Sequence, residues 1–384
     1  MRVERLDLED FRNYERARAE LSSGLNLVVG RNAQGKTNLL EAIHVVGGLG
    51  SPRAPEAALV REGAASALVH AEVRARGGRN LRIDMEISAG GRTRSLLNRT
   101  PVRGTSALTE AVTCVFFGPD ELALVKGSPP GRRRYLDDLV VKLKPARHSL
   151  RREWERVLRQ RNTLLRTAPR PMPPSMLQTL AVWDEALARA GAALTAARLE
   201  ALAALIPHAR KRYEEVAGGG RVDLGYTSAW MDEGASAEAV AMGGLEEESL
   251  RSMLNAAIER ERKRELERGT SLVGPQRDDV SIQLAGEGGV LDARVYASQG
   301  DQRTTALALK LGECDLLVEA LGDDPILLLD DVFSELDPSR RLWLARAVGA
   351  GGQTILTSAE PDAVEGIDAE RVFTVEGGKV SIRE

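Results

Sequence analysis

Strand-like alternation opens the chain, where Val3, Leu6, Leu8 and Phe11 recur among charged neighbours. Leu25-Asn26-Leu27-Val28-Val29 is a short buried-strand candidate, and past a glycine-bearing loop Leu39, Leu40, Ile43 and Val46 recur at helical spacing. Residues 67–99 predict two or three strands punctuated by Gly-Gly pairs, with Leu81, Ile83, Met85 and Ile87 alternating cleanly. Val112–Phe117 is another strand-sized run, closed by Gly118-Pro119. The period then changes. Leu150, Trp154, Val157, Leu158, Leu164 and Leu165 mark one helical stripe, and Leu180, Trp183, Leu187, Ala190, Leu194, Ala197 and Ala201 mark another. The second stripe steps by three and four for about three heptads, which suits packing along a neighbouring helix. Residues 217–246, rich in glycine, alanine and acids around a possible strand near Val222–Leu224, read as a variable excursion. A charged helix over 248–268 is expected to stop at Gly269. Beyond it, strands are expected near 280–284 and 291–296, a helix from about 302, and the apolar strand Ile326-Leu327-Leu328-Leu329. A helix near 338–348 and the strand Thr354–Thr357 complete the series.

The pattern predicts one α/β domain split in sequence, with a mainly helical lobe between its halves. The halves are placed at 1–124 and 269–384, and the lobe at 125–268. A chain of 384 residues can bury such a core without disulfides or a structural metal. Cys114 and Cys314 lie in apolar or helical contexts and read as reduced packing residues. With neither a cationic leader nor 18 uninterrupted apolar residues, the expected home is the cytoplasm, without a membrane span. The net charge of −3 offers nothing to a polyanion. Its distribution changes the picture, because residues 126–170 hold 14 Lys and Arg against 4 Asp and Glu. This excess is either a solvated helical face or a footprint for phosphates.

Candidate chemistry begins at Gly30-Arg31-Asn32-Ala33-Gln34-Gly35-Lys36-Thr37, a match to G-x-x-x-x-G-K-[ST] between a predicted strand and a predicted helix. Backbone N–H groups of such a loop converge on phosphates at the positive end of the helix. Lys36 is expected to reach the β- and γ-phosphates of ATP, and Thr37 to help hold Mg²⁺. The apolar strand 326–329 ends in Asp330-Asp331. Asp330 is the candidate Mg²⁺ ligand and Asp331 the group that would polarise the attacking water; an acidic turn is the plainer alternative.

Four further segments resemble the RecF family of DNA-repair ATPases, compact relatives of the SMC and Rad50 proteins. They are Leu8-Glu9-Asp10-Phe11-Arg12-Asn13-Tyr14; Phe117–Pro129 continued by Arg132-Arg133-Arg134-Tyr135-Leu136-Asp137; Gly274-Pro275-Gln276-Arg277-Asp278-Asp279; and Tyr296-Ala297-Ser298-Gln299-Gly300-Asp301-Gln302-Arg303. The resemblance implies a P-loop ABC-type ATPase head, split in sequence, with an inserted helical lobe. It also implies slow ATP hydrolysis and an ATP-dependent homodimer, in which Ser298 and Gly300 cap the γ-phosphate held by the other subunit. At the helix start, Ser298 could equally be a plain N-cap. Asp301 stands where the family more often has an amide, Gln276 where it has His, and Asp331 where ABC ATPases usually place Glu. No His follows the strand ending Thr357-Ser358, and Asp120 falls near the region that senses ATP or Mg²⁺. Both the shorter carboxylate and the missing imidazole imply slow turnover.

The same resemblance implies single-stranded, double-stranded and gapped or junction DNA as partners. It further implies RecR and RecO, with RecA loading as the outcome, in recombinational repair, replication and the SOS response. Arg132–Arg134 would then serve either phosphates or acids of the lobe. One competing reading is a transporter's nucleotide-binding subunit, disfavoured by the 260 residues between Thr37 and Ser298. Another is an ATP-binding scaffold without hydrolysis. The long coiled coils of Rad50 or RecN do not fit, since three heptads reach only about 30 Å.

Overall fold

The computed structural model describes residues 1–286, 289–349, 351–359 and 367–383. Its contacts divide the chain into two bodies, Met1–Leu122 with Glu313–Glu384, and Ala123–Gly312. Residues 269–312, expected with the second half of the head, pack instead with the insert.

The first body begins with β1 (Arg2–Phe11), β2 (Tyr14–Glu20), β3 (Leu25–Val29), α1 (Lys36–Val46), β4 (Ser66–Arg74) and β5 (Asn80–Ser88). It continues through β6 (Thr93–Leu97), β7 (Thr100–Val102), α2 (Ser106–Ala111) and β8 (Cys114–Phe117). The insert then supplies α3 (Ala123–Lys126), α4 (Pro129–Leu143), α5 (Leu150–Thr167), α6 (Pro174–Ala217), β9 (Arg221–Thr227), α7 (Glu233–Ala241) and α8 (Glu247–Arg268). After β10 (Asp279–Gly286), β11 (Gly289–Asp292), α9 (Ala293–Tyr296) and α10 (Gln299–Leu321), the chain closes the first body. That last part comprises β12 (Ile326–Asp330), α11 (Pro338–Gly349), β13 (Thr354–Ser358), β14 (Arg371–Glu376) and β15 (Lys379–Ile382).

Two sheets build the first body. One is antiparallel, ordered β2-β1-β4-β5-β6-β7; the other is ordered β15-β14-β3-β13-β12-β8, parallel except for the edge strand β15. The parallel strands β3, β12 and β13 are buried along their whole length, as sheets covered on both faces require. The antiparallel strands bury one face, through Leu6 and Leu8 of β1, Val69 and Ala71 of β4, and Ile83 and Ile87 of β5. α1 is buried nearly all round: Leu39, Leu40, Ile43 and Val46 join the core cluster that both sheets feed, and Lys36, Glu41 and His44 are buried with them. This seating fixes the helix whose first turn carries Lys36 and Thr37.

In the second body α6 is the central element, packing against α4, α5, α8 and β9. It runs 44 residues, well past the stripe legible to Ala201, and continues through Pro207. Gly191 lets its neighbours in closely, since a Cβ there would stand 2.5 Å from Leu254 and 2.8 Å from Trp154. α6 is long and apolar enough to cross a membrane, but 67% of its most apolar window is buried inside the protein, as in a core helix. α8 stops at Gly269, which takes φ 68° and donates its N–H to Glu265 O.

Two expectations change. The segment 217–246 is built into the fold as β9 and α7, with β9 paired to β10. The strand expected over 291–296 ends at Asp292, whose carboxylate accepts from the N–H groups of Arg294 and Val295 and starts α9 instead. Neither Cys114 nor Cys314 is in a disulfide.

Candidate nucleotide site

β3, β13 and β12 lie side by side and parallel, so Val29, Ser358 and Asp330 end together at one rim of the sheet. Carboxyl ends of parallel strands are where open α/β sheets bind ligands. The 30–37 loop rises from this rim. Gly30 is squeezed by β14, since a Cβ there would meet Val375 O at 2.3 Å. Gly35 takes φ 121°, a backbone conformation open to glycine, and a Cβ would fall within 3 Å of Asn13 and Tyr14.

The β1–β2 turn holds the loop in place. Tyr14 OH donates to Gly35 O at 2.8 Å, and Asn13 Nδ2 donates to Gln34 O at 2.8 Å. Burial raises the Tyr14 phenol above its ordinary range, keeping it a donor. Gly377 N and Gly378 N, from the turn after β14, donate to Gln34 Oε1 and Gln34 O at 2.7 and 3.2 Å. The opening segment thus buttresses the loop. Sequence reasoning matched Asn13 and Tyr14 only as family likeness, because nothing local shows which loop a turn will touch.

Lys36 lies in the first turn of α1, its ammonium donating to Gly30 O at 2.7 Å and Arg31 O at 3.1 Å. Burial lowers its pKa, opposed by Asp331 and Asp330. Arg31, Asn32 and Ala33 are exposed on the loop's crest, and Ala33 adopts φ 64°.

Asp330 is buried, and its carboxylate collects hydroxyls. Thr37 Oγ1 stands 2.9 and 2.8 Å from its two oxygens, and Thr357 Oγ1 donates at 2.8 Å. Burial raises its pKa, while the Thr357 and Thr37 hydrogen bonds and the charge of Arg53 counteract. Asp331 follows at φ 50°. Its N–H donates to Thr357 Oγ1 at 2.9 Å, and its carboxylate accepts from Ala359 N at 3.4 Å. A non-glycine residue in this region is strained by about 1–2 kcal/mol, so the turn that re-aims Asp331 away from the sheet is held by its neighbours. Thr357, which sequence alone marked only as the end of a strand, bridges both carboxylate residues. Asp120 sits exposed in the turn after β8.

Among the described residues no cluster of three or more His, Cys, Asp or Glu could cage a metal. One hydroxyl and one carboxylate in contact are a donor set for Mg²⁺, which binds through few protein oxygens together with phosphates and water. Thr37 and Asp330 fit it.

A strand–loop–helix with Lys and Thr, meeting a carboxylate 293 residues away in sequence, is shared by many ATPases, and whole-chain similarity decides among them. The RecF/RecN/SMC N-terminal domain model matches residues 2–381. The DNA replication and repair protein RecF of Streptomyces avermitilis is 45% identical over 386 residues, covering 99% of each chain. The chain belongs to the RecF family. That of Kineococcus radiotolerans is 42% identical, again over 99% of each. A solved structure of the recombination mediator protein RecF with ATP, in the RecFOR pathway, superposes with a TM-score of 0.88 at 28% identity, covering 100% of this chain and 97% of that one. A Pyrococcus furiosus Smc head shares the fold alone, at TM-score 0.54 and 15% identity, over 99% and 95%.

In this RecF-family chain Ser298 and Gly300 belong to the second body, at the start of α10. Ser298 Oγ donates to Asp301 Oδ2 at 2.7 Å and accepts from Asp301 N at 3.2 Å. The plain cap is therefore what the isolated chain adopts, and Asp301 turns back onto the serine.

The basic run is largely consumed by ion pairs. Arg132 is buried and bidentate to Asp279 at 2.8 Å, and Arg133 Nη1 donates to Asp278 O at 2.8 Å. Lys144 and Arg147 share Glu200, and Arg151 and Arg156 pair along α5 with Glu155 and Glu153. Arg161, fully buried, holds Asp184 and Glu265 at 2.7 Å and Ser271 Oγ at 2.7 Å. Two of the family-like segments, 132–137 and 274–279, are thus fastened to each other. Asp137 binds Arg198, which donates to Pro275 O.

Proposed function

We propose that this chain is an ATP-dependent DNA-binding protein of recombinational repair and replication maintenance, with slow ATP hydrolysis. The observation that carries the nucleotide half is the Thr37–Asp330 contact beside Lys36, a phosphate-loop hydroxyl and a strand-end carboxylate meeting at one rim. ATP would draw the Lys36 ammonium off the carbonyls of Gly30 and Arg31 onto its phosphates, with the loop from Gly30 to Thr37 supplying N–H donors. Thr37 and Asp330 would hold Mg²⁺, which would supply charge neutralisation for the phosphates. Asp331, re-aimed by its backbone and tethered by Thr357, orients water toward the γ-phosphate.

Two copies would close over DNA, with Ser298 and Gly300 of each facing the nucleotide of the other. Closure has to release Ser298 from Asp301, at about 1 kcal/mol for the hydrogen bond. The Asp301 carboxylate further opposes an approaching triphosphate. Both effects weaken closure and, with the short Asp331, suit a timer better than a motor. Membership of a family of DNA replication and repair proteins supports DNA as the partner, read here as single-stranded, double-stranded or at gapped junctions. The solved relative's place in the RecFOR pathway supports RecR and RecO as collaborators, with RecA loading and the SOS response as the role this reading proposes for them. The expected place of action is the cytoplasm, with no membrane.

Phosphate release measured with and without DNA tests the catalytic half. Asp331→Asn should retain ATP affinity and lose release by about 100-fold, the scale set by a misplaced catalytic group. Equal release in the variant would point to a site that binds ATP without using Asp331.

A further inference from the structure

Much of the insert's basic run is paired, whereas three of the four arginines around one hairpin in the first body are not. Residues 89–109 contain Arg92, Arg94, Arg99 and Arg103 and no Asp or Glu. All four side chains are exposed. Arg94 stands 3.7 Å from Glu86, while the side chains of Arg92, Arg99 and Arg103 make no hydrogen bond or ion pair among the described residues.

Two features of the hairpin run against its own stability. β6 and β7 are joined by the two-residue turn Asn98-Arg99, with φ 50° and 67°. Such turns favour Asn followed by Gly, because both residues need positive φ. Asn98 has an evident structural role, since its Oδ1 accepts from Arg82 N at 2.9 Å. Arg99 occupies the glycine position with no contact in return. Arg94 and Arg103 directly follow the last β6–β7 pair, Ser95 with Val102, and so come near one another in backbone position, and like charges brought together across a strand pair repel. Strained and repelling groups of this kind persist where a ligand uses them.

We infer that the β6–β7 hairpin contacts the phosphate backbone of DNA, which rests on the DNA-binding reading above. Pro101 lies on the edge strand β7 and lacks an N–H, which blunts pairing with an added peptide strand. No large apolar side chain between 90 and 105 is among the exposed ones, so the apolar centre of a protein interface is missing. Unpaired guanidiniums without it match a polyanion. The five residues of β6, roughly 17 Å of extended strand, separate Arg92 before it from the turn that carries Arg99, a span of about five base-pair steps of duplex at 3.4 Å each.

The test is DNA binding by full-length protein with Mg²⁺-ATP, followed by anisotropy of labelled gapped DNA across a salt series. The triple variant Arg92→Gln, Arg99→Gly, Arg103→Gln should lose affinity for every sequence alike. Its salt slope should fall by roughly 3, about 1 per lost phosphate contact. A triple of equal charge change, Arg210→Gln, Arg251→Gln, Arg264→Gln, should keep the wild-type slope. Arg99→Gly alone should bind DNA more weakly yet melt at a higher temperature, a split that no folding defect produces. An unchanged slope in the hairpin triple overturns the inference and leaves the arginines to an acidic protein; an equal loss in the control triple overturns it as a general charge effect. Wild-type protein that ignores DNA would remove the DNA reading and the hairpin's role together.

Discussion

The phosphate loop and the basic run of the insert both stood out in sequence, yet the fold treats them oppositely. The loop is a pattern of positions, with glycines where a side chain cannot fit and Lys36 and Thr37 at the start of a helix seated between two sheets. Its ammonium keeps only local carbonyls, Lys36 donating to Gly30 O and Arg31 O, so it is not neutralised by a direct ion pair. The basic run is a pattern of composition, and acids distant in sequence absorb it. Asp279 takes Arg132, Glu200 takes Lys144 and Arg147, and Glu265 with Asp184 takes Arg161. Spacing specifies a site because geometry follows from it, whereas net charge over a window is silent about what folds against it.

The comparison can be broken where it makes the strongest demand. If the basic run is structural, Arg161→Met should destabilise the protein by about 3–5 kcal/mol, because Asp184 and Glu265 would be left buried and unpaired. Chemical denaturation reads this directly, and a variant as stable as wild type would mean the cluster is not a structural lock. The loop should respond the other way. Lys36→Met should keep its melting temperature and lose nucleotide affinity by about 100-fold, the scale of two charge-assisted hydrogen bonds, as measured by titration with a fluorescent nucleotide.

Asp301 sharpens the contrast at the signature segment. Replacing it by Asn removes the carboxylate facing any triphosphate, and the ATP-dependent dimer should tighten by about tenfold, the equivalent of one released hydrogen bond. Sedimentation at several protein concentrations measures it, and a weaker dimer would mean that Asp301 holds Ser298 in its working position.

pH gives a smaller handle on the insert. Burial pushes the Asp278 carboxyl up to about 6, against hydrogen bonds from Tyr226 and Trp230 and the charge of Arg198. The folded state then holds more protons than the unfolded one between roughly pH 4 and 6, so this group contributes stability at low pH that is lost as pH rises through 6. The melting-temperature difference between wild type and Asp278→Asn should therefore shift in favour of wild type from pH 7 to pH 5. A difference independent of pH would place the carboxyl in its ordinary range. The smallest effect belongs to Arg156→Gln, whose solvent-screened pair with Glu153 contributes little and whose loss should barely alter the melting temperature or the DNA salt slope.

Much of the head was legible because its strands are short apolar runs and its loop has a fixed spacing. Less visible were relations across sequence. Asn13 and Tyr14 brace Gln34 and Gly35 through a turn that carries no local mark of its target. Thr357 ties Asp330 to Asp331 only because β13 lies beside β12. The segment 217–246 looked variable for want of periodicity, although Tyr226 and Trp230 donate to the buried Asp278 at 2.7 and 3.1 Å. The switch from strand to helix at Asp292 depended on a cap that composition does not reveal.

Light scattering with gapped DNA, with and without Mg²⁺-ATP, tests the central claim most directly when run beside Lys36→Met. The account predicts a DNA-bound dimer that forms only with ATP and is lost in the variant. A wild-type protein that binds ATP, stays monomeric and ignores DNA at low and moderate salt would contradict it.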